Sequence, residues 1–254
     1  MTELIFVFLG PTLTLEEASL YLDAEYLPPV SQGDVYRVAR QNPFAIGIID
    51  GYFDQVPAVW HKEILWALCH GIHVFGAASM GALRAAELDR FGMRGVGKIY
   101  NMYASGELTD DDEVALAHAP AASGFRCASE ALVNIRFTLE LAEREGLISN
   151  DTLLALTQLA KNEYYPERSY PRLLRSARAA GVSHAELSEL GVFLETARID
   201  QKKADAIEML VALAETLQSR EPMPEVKYRL SHTEAWDAAI QELDALPPLR
   251  GVRR

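Results

Sequence analysis

The residue best placed for nucleophilic chemistry in this chain is Ser79. It stands among small residues in the segment 76–81, directly before the strongly helical run 82–88. A nucleophile elbow needs small neighbours of this kind, because its tight turn brings the backbone close to the side chain. The match to the G-x-S-x-G pattern is incomplete, since Ala77 stands in place of the first glycine. The alternative is that Ser79 caps the following helix, which is a common role for serine.

Among the six histidines, His61 is the candidate base for Ser79. It follows Asp50 by one short loop and lies at the start of a predicted helix, on the same sheet edge as Ser79. The positive end of that helix disfavours the imidazolium and so favours a neutral base. Asp50 could orient the imidazole or line the pocket. Two plainer interpretations stay open: His61 as a solvated residue at a helix start, and Asp50 as a turn residue beside Gly51.

Short apolar runs bounded by turn residues predict the strands of a sheet. Helical patterns separate these runs, and such alternation is typical of a doubly wound parallel sheet with right-handed crossovers. The predicted class is therefore α/β. Ligands bind such sheets beyond the carboxyl ends of the strands, which is where Gly10, Asp50 and Ser79 fall. The predicted strands are 4–9, 25–27, 45–49 and 72–75, and the predicted helices are 15–22, 34–40, 59–70 and 82–88.

The second half of the chain has a different pattern. From about residue 128 the apolar residues recur at helical spacing, and no further strand-like run follows. We therefore predict an α/β core domain over 1–125 and an all-helical C-terminal region over 126–254. Within the predicted core domain, the glycine-rich segment 92–97 could cradle an anion or merely connect two helices. The predicted helices of the second half are 129–145, 151–160, 171–180, 184–194, 202–219 and 233–243.

Composition narrows the classes of partner. A formal net charge of −12 argues against a surface that neutralises phosphates, so nucleic acid is not expected. No run approaches the roughly 18 apolar residues of a membrane helix, and the first nine residues lack the basic start of a signal peptide. The two cysteines, Cys69 and Cys127, match no metal or redox spacing. We therefore expect a cytoplasmic protein with no membrane partner.

An acidic group at 110–113 has three interpretations. It could form the solvated first turn of a helix, where negative charge is favourable. It could hold Mg²⁺, although no phosphate-binding loop accompanies it. Third, one of its acids, such as Asp111, could reach the Ser79 crevice together with His118. We expect neither a bound metal nor a cofactor.

Several sequence blocks of the first half of the chain have to be taken together: 10–12, 28–34, 47–53, 60–65, 76–88, 92–100 and 110–113. In this order, they resemble the TfuA-like family. The helical half has no comparable motif. The resemblance implies a role beside YcaO enzymes, which use ATP to activate a peptide amide so that sulfur can replace its oxygen. This protein would then contact the precursor peptide only indirectly, through the YcaO partner.

The resemblance also implies a reaction. Ser79, with His61 as base, would attack a thiocarboxylate on a ThiS-like sulfur-carrier protein and expel hydrosulfide. Hydrosulfide is a good leaving group, so a dyad could suffice without a third member. The residues expected to bind the carrier's tail are Gly10, Pro11, Thr12, Gly51, Glu63, Met80, Arg84, Asp111 and His118.

Two other functions stay open. The chain could be a non-catalytic docking or allosteric protein that activates the YcaO enzyme through its helical half, with Ser79 as a helix cap. An exposed apolar stripe on that half would favour docking. The chain could also be a small-molecule hydrolase, and in that case esterase activity would be lost with His61→Ala.

Overall fold

A computed structural model describes residues 3–53, 56–223 and 226–253. The chain divides into two compact units. The first comprises residues 1–109 and 203–254, and the second comprises residues 110–202. The domain boundary predicted after residue 125 stays a prediction.

The first unit is built around a five-stranded, all-parallel sheet. Its strands are β1 (Ile5–Phe8), β2 (Glu25–Leu27), β3 (Ala45–Ile48), β4 (His73–Ala77) and β5 (Arg94–Val96). Their order across the sheet is β2-β1-β3-β4-β5. The predicted α/β class with a parallel sheet is confirmed. Because β2 and β3 flank β1 on opposite sides, the winding reverses between β1 and β3. That switch point is where open sheets of this type bind ligands.

Helices cover both faces of this sheet. In β1, Phe6 and Phe8 point to the face covered by the helices at 34–39, 61–69 and 80–88. Ile5 and Val7 point to the opposite face, which is covered by the helices at 15–18 and 201–219. Burial on both faces explains why the strand is a continuous apolar run. The helices are α1 (Leu15–Ala18), α2 (Asp34–Ala39), α3 (His61–Cys69), α4 (Met80–Leu88), α5 (Lys98–Ala104), α6 (Leu132–Arg144), α7 (Asn150–Asn162), α8 (Tyr170–Ala179), α9 (His184–Phe193), α10 (Gln201–Ser219) and α11 (Glu234–Asp244).

The fifth strand lies in the segment 92–97, for which no strand was predicted. β5 runs parallel to β4, with Gly95 beside Gly76. A Cβ on Gly95 would lie 2.1 Å from the ring of Tyr100. Glycine is therefore required for the aromatic ring to lie against the strand. A short edge strand without an apolar run gives little signal in the sequence.

The second unit is helical, as predicted. Helices α6 to α9 enclose a core of their own, in which Leu132, Leu139, Leu156, Leu173 and Leu190 are almost completely buried. The residues of α10 from 203 onward belong to the first unit, where they cover one face of the sheet. Part of the helical half therefore completes the α/β layers. In the part of the chain that the structure describes, no helix is long and apolar enough to cross a membrane.

Candidate active site at the carboxyl edge of the sheet

A strained turn at Ala78 leads from β4 to Ser79. The φ angle of Ala78 is +65°, in a region that is unfavourable for residues with a Cβ. The amide of Ser79 donates to the carbonyl of Ala77 at 2.7 Å, which closes a three-residue turn. Backbone strain of this kind persists only where the surrounding structure enforces it, and it clusters at functional sites.

Two glycines allow α4 to begin directly on the sheet. A Cβ on Gly81 would lie 1.7 Å from the carbonyl oxygen of Ile48, and one on Gly76 would lie 2.1 Å from the carbonyl oxygen of Gly81. The amide of Gly81 donates to Ile49 at 3.3 Å. These close approaches fix the start of α4 over the ends of β3 and β4, and therefore fix the position of Ser79.

The hydroxyl of Ser79 is not used as a helix cap. Ser79 occupies the N-cap position of α4, but its side chain makes no capping hydrogen bond. The helix-cap interpretation therefore lacks the contact that defines it. Within the described ranges, no carbonyl accepts from the amide of Met80, the next residue. In nucleophile elbows, the amide after the nucleophile is one of the donors that stabilise the oxyanion.

The carboxylate that contacts His61 is Glu87, not Asp50. His61 begins α3, and its Nε2 lies 2.7 Å from Oε2 of Glu87. Glu87 lies on α4, about 12 Å along the helix axis after Ser79. No hydrogen bond joins His61 to Ser79 among the residues that the structure describes. The pairing of these two residues stays a prediction.

Arg84, one of the predicted binding residues, holds Glu87 in place. Its Nη1 donates to Oε2 of Glu87 at 2.8 Å, and its Nε donates to the carbonyl of Val59 at 3.1 Å. Burial raises the pKa of Glu87, but the hydrogen bond with His61 and the charge of Arg84 outweigh burial and keep this pKa below its ordinary value. An ionised carboxylate of this kind can orient an imidazole and stabilise the imidazolium.

Glu87 was not among the residues predicted for the site. The residue lies inside the block 76–88, so its position was noticed, but its partner could not be identified. Spacing along one helix does not reveal which side chain of a neighbouring helix lies opposite. The only available signal was that β3-α3-β4-α4 units place consecutive helices side by side.

Asp50 holds the switch point of the sheet together. The residue is 1% exposed. Its Oδ2 accepts from the amides of Gly10 at 2.9 Å and Thr12 at 3.1 Å, and its Oδ1 accepts from the Thr12 hydroxyl at 2.6 Å. These bonds join the loop after β1 to the end of β3. Three of the predicted residues are thus brought together, in an arrangement that rigidifies the edge of the sheet.

The predicted groove residues next to Asp50 are closely packed. A Cβ on Gly10 would lie 2.4 Å from Cγ of Pro29, and one on Gly51 would lie 2.7 Å from Cγ of Met80. Pro11 is partly buried beside them. Glycine at these positions therefore allows the loops to pack against each other. Binding of a carrier tail at this edge stays a prediction.

Glu63 connects the starts of α2 and α3. Its Oε1 accepts from the amides of Gly33 at 2.7 Å and Trp60 at 3.1 Å, and its Oε2 accepts from the amide of Tyr36 at 3.3 Å. Burial raises the pKa of Glu63 to about 7, although the three amide bonds favour the charged form. The contacts of Glu63 are those of a buried cap, and the predicted role in substrate binding is untested.

Asp111 and His118 belong to the second unit. Asp111 is exposed in the 3₁₀ turn Asp111–Glu113. In the same turn, Glu113 is buried and accepts from Arg136 through both oxygens at 2.8 Å. The acidic group is therefore engaged at least in part by cationic side chains of the same unit. Over the described ranges, no group of three or more His, Cys, Asp and Glu residues could hold a metal ion.

Fold and site together define a doubly wound α/β protein with a serine at a strained strand-to-helix turn. The model of the TfuA-like protein family matches residues 50–169, so this segment of the chain is similar to TfuA-like proteins. The matched segment contains His61, Ser79 and Glu87 and continues into the helical unit. No curated protein matches the chain. TfuA-like proteins are associated with YcaO enzymes, and this similarity supports an accessory role in YcaO-related thioamidation.

Proposed function

We propose that this protein releases sulfide from a thiocarboxylated, ThiS-like carrier protein for a YcaO enzyme. Oγ of Ser79 attacks the thiocarboxylate carbon and loses its proton to the base. The base returns this proton to the sulfur, the carbon–sulfur bond breaks, hydrosulfide leaves, and the carrier is held as an ester on Ser79. Water then hydrolyses the ester, which restores the serine and frees the carrier as its carboxylate.

The unused amide of Met80 is the observation that carries this proposal. In the attack on a thiocarboxylate, negative charge develops on the oxygen of the tetrahedral intermediate. The N–H of the residue after the nucleophile is suited to stabilise that oxygen. One such donor is worth about 10²- to 10³-fold in rate. The positive end of α4 acts in the same direction.

We assign His61 as the base and Glu87 as the carboxylate that orients it. Since the imidazole is bonded to Glu87, proton transfer from Ser79 requires a side-chain rotation or a bridging water. Ser79 is also 2% exposed, so the carrier tail must displace neighbouring side chains before it reacts. Both requirements make the reaction of Ser79 dependent on carrier binding. Other acyl compounds, which do not bind in this way, would then not acylate Ser79.

The experiment is a sulfide-release assay with purified protein and thiocarboxylated carrier. Ser79→Ala should keep the fold, as judged by circular dichroism, and lose release by at least about 100-fold. Ser105→Ala is the matched control, because Ser105 is exposed on the C-terminal side of α5. Release at the wild-type rate by folded Ser79→Ala protein would exclude the nucleophile assignment.

One observation favours a docking function as the second candidate. Three large apolar side chains of the second unit are exposed: Leu154 by 59%, Tyr164 by 65% and Val192 by 70%. Contiguous exposed apolar patches mark protein interfaces, whereas single exposed side chains are common, so variants must decide whether these three side chains act in docking. In an assay of YcaO turnover with free sulfide supplied, the release step is bypassed. Stimulation that survives Ser79→Ala but is lost in Leu154→Ser or Val192→Ser would favour docking.

A further inference from the structure

A cavity of about 240 Å³ opens at the carboxyl edge of the sheet in the first unit. Residues 31–33, after β2, form one wall, and Val56, Pro57 and Trp60, after β3, form another. The third wall is α11. Since β2 and β3 are the two neighbours of β1, the cavity lies at the switch point where open sheets bind ligands. The described residues that line it include none of the proposed reaction centre.

Hydrogen bonds fix the first two walls to each other. Oε1 of the buried Glu63 accepts from the amides of Gly33 at 2.7 Å and Trp60 at 3.1 Å, and so holds one residue of each wall. The amide of Gln32 donates to the carbonyl of Pro57 at 2.9 Å. These two walls are therefore in place before a ligand arrives, which lowers the entropic cost of binding.

Packing and a hydrogen bond hold the third wall. Gly33 has a φ angle of +90°, and a Cβ on it would lie 2.6 Å from Cδ2 of Leu243. Glycine therefore allows α11 to close the cavity at this point. The ring of Trp236, which is buried, meets that of Tyr36 edge-on with centroids 5.6 Å apart. The hydroxyl of Tyr36 donates to Oδ1 of Asp244 at 3.0 Å, so α11 is also joined to α2 by a hydrogen bond.

The cavity combines apolar walls with a single charge. Its volume is below the roughly 300–1,000 Å³ of pockets that hold whole small molecules, so one long side chain fits it better. Val56, Pro57 and Leu243 are apolar and can cover an aliphatic stem. Among the described residues that line the cavity, Glu242 is the only one that ionises. In the part of the chain that the structure describes, the carboxylate of Glu242 has no hydrogen bond or ion pair.

Trp60 offers an aromatic face to the same ligand. It is 36% exposed, and within the described ranges no other ring and no cation is stacked on it. A guanidinium binds an indole face and also pairs with a carboxylate through two parallel hydrogen bonds. We propose that the cavity binds an arginine side chain of a partner protein, with the guanidinium at Glu242 and Trp60. This inference goes beyond the proposed function and does not rest on it.

An anion is the alternative ligand, since the starts of α2 and α3 carry partial positive charge. However, the amides of Gly33 and Trp60 already donate to Glu63, and no lysine, arginine or histidine is among the described residues of the lining. Glu242 lies in the last turn of α11, where the helix dipole favours a cation. The formal net charge of −12 also attracts a basic partner. The charges therefore favour arginine over an acidic ligand.

An NMR titration of the full chain tests the cavity. The probe is acetyl-Gly-Arg-Gly-amide, and its neutral match contains citrulline, which has nearly the same shape without the charge. The indole N–H signal of Trp60, identified by its loss in Trp60→Phe, should shift with the arginine peptide. The citrulline peptide should bind at least about threefold more weakly. Glu242→Gln should remove this preference. Glu208→Gln is the matched control and should keep it, because Glu208 is exposed on α10, which covers the other face of the sheet.

Three results would overturn the inference: equal binding of the two peptides, a preference that survives Glu242→Gln, or a Trp60 signal that does not move with the arginine peptide. Tighter binding of acetyl-Gly-Glu-Gly-amide would overturn it in favour of an anion site. Ser79→Ala should bind the arginine peptide as the wild type does. Normal sulfide release by a wild-type protein that does not bind the peptide would therefore contradict this inference alone. Retained release in folded Ser79→Ala protein would contradict only the proposed function.

Discussion

Nε2 of His61 and Oε2 of Glu87 lie 2.7 Å apart, which joins the first turn of α3 to the last turn of α4. The helix that holds Glu87 also begins at Ser79 and presents the unused amide of Met80. A single helix therefore carries the proposed nucleophile, the proposed oxyanion donor and the carboxylate that orients the proposed base. The start of this helix is fixed on the sheet by the close approach of Gly81 to the carbonyl of Ile48.

Glu87→Gln should lower the rate of sulfide release by at least about tenfold, because the imidazole loses the charge that orients it. Glu17→Gln is the control, because Glu17 is also hydrogen-bonded but lies on α1. An unchanged rate of sulfide release in Glu87→Gln would mean that Glu87 does not orient His61 for the reaction.

Substitutions of Asp50 should give a graded loss of stability. Asp50→Ala leaves the two amides of Gly10 and Thr12 and the Thr12 hydroxyl without their acceptor, at a cost of about 3 kcal/mol or more in the free energy of unfolding. Asp50→Asn should cost about 1 kcal/mol, because its oxygen can keep both amides while the hydroxyl accepts from its NH₂. Urea unfolding measures both. If Asp50→Ala were as stable as the wild type, Asp50 would not have the structural role assigned to it.

The strands were predictable where they are buried on both faces. The runs at 4–9, 45–49 and 72–75 are continuous and apolar because β1, β3 and β4 have helices on both sides. Even the three-residue β2 could be placed, since Pro28 and Pro29 mark its end. The edge strand β5 was missed, because Arg94-Gly95-Val96 has neither an apolar run nor alternation.

The site was less predictable than the fold. Sequence order located Ser79 and Asp50 at strand ends and His61 at the start of the helix after β3, all at one edge of the sheet, since the ends of parallel strands share one edge. It could not assign the carboxylate partners, because each contact depends on side-chain direction between elements far apart in the chain. Asp50 contacts the loop after β1, and Glu87 contacts His61.

Two glycines in helices offer a matched pair of substitutions. In Gly81→Ala the new Cβ would lie 1.7 Å from the carbonyl oxygen of Ile48, a backbone atom that cannot move aside. The expected loss in the free energy of unfolding is about 3 kcal/mol. Gly191 lies within α9 and has only Cδ1 of Leu174 at 4.0 Å from the same position. Gly191→Ala should therefore stabilise the protein by about 0.5–1 kcal/mol. Similar effects in both variants, measured by thermal unfolding, would contradict the close packing of α4 on β3.

Titration of Glu63 should make the protein less stable as the pH rises. Burial raises its pKa in the folded protein to about 7, from an ordinary value of 4.5. The folded state therefore binds this proton more tightly than the unfolded state. The resulting stability is fully present below about pH 4.5 and is lost as the pH rises through about 7, with a limit of about 3 kcal/mol.

Glu63→Gln removes the titrating group, so the difference in unfolding free energy between wild type and variant should change steadily from about pH 5 to about pH 8. Glu186→Gln is the control. Hydrogen bonds from Thr152 and Ser149 lower the pKa of Glu186, so its contribution is constant over that window and is lost only in more acidic solution. The difference in unfolding free energy between wild type and Glu63→Gln could instead be independent of pH or change in the opposite direction. Either result would mean that the three amide hydrogen bonds to Glu63 outweigh the effect of its burial on the pKa. Glu63 would then be an ordinary ionised cap.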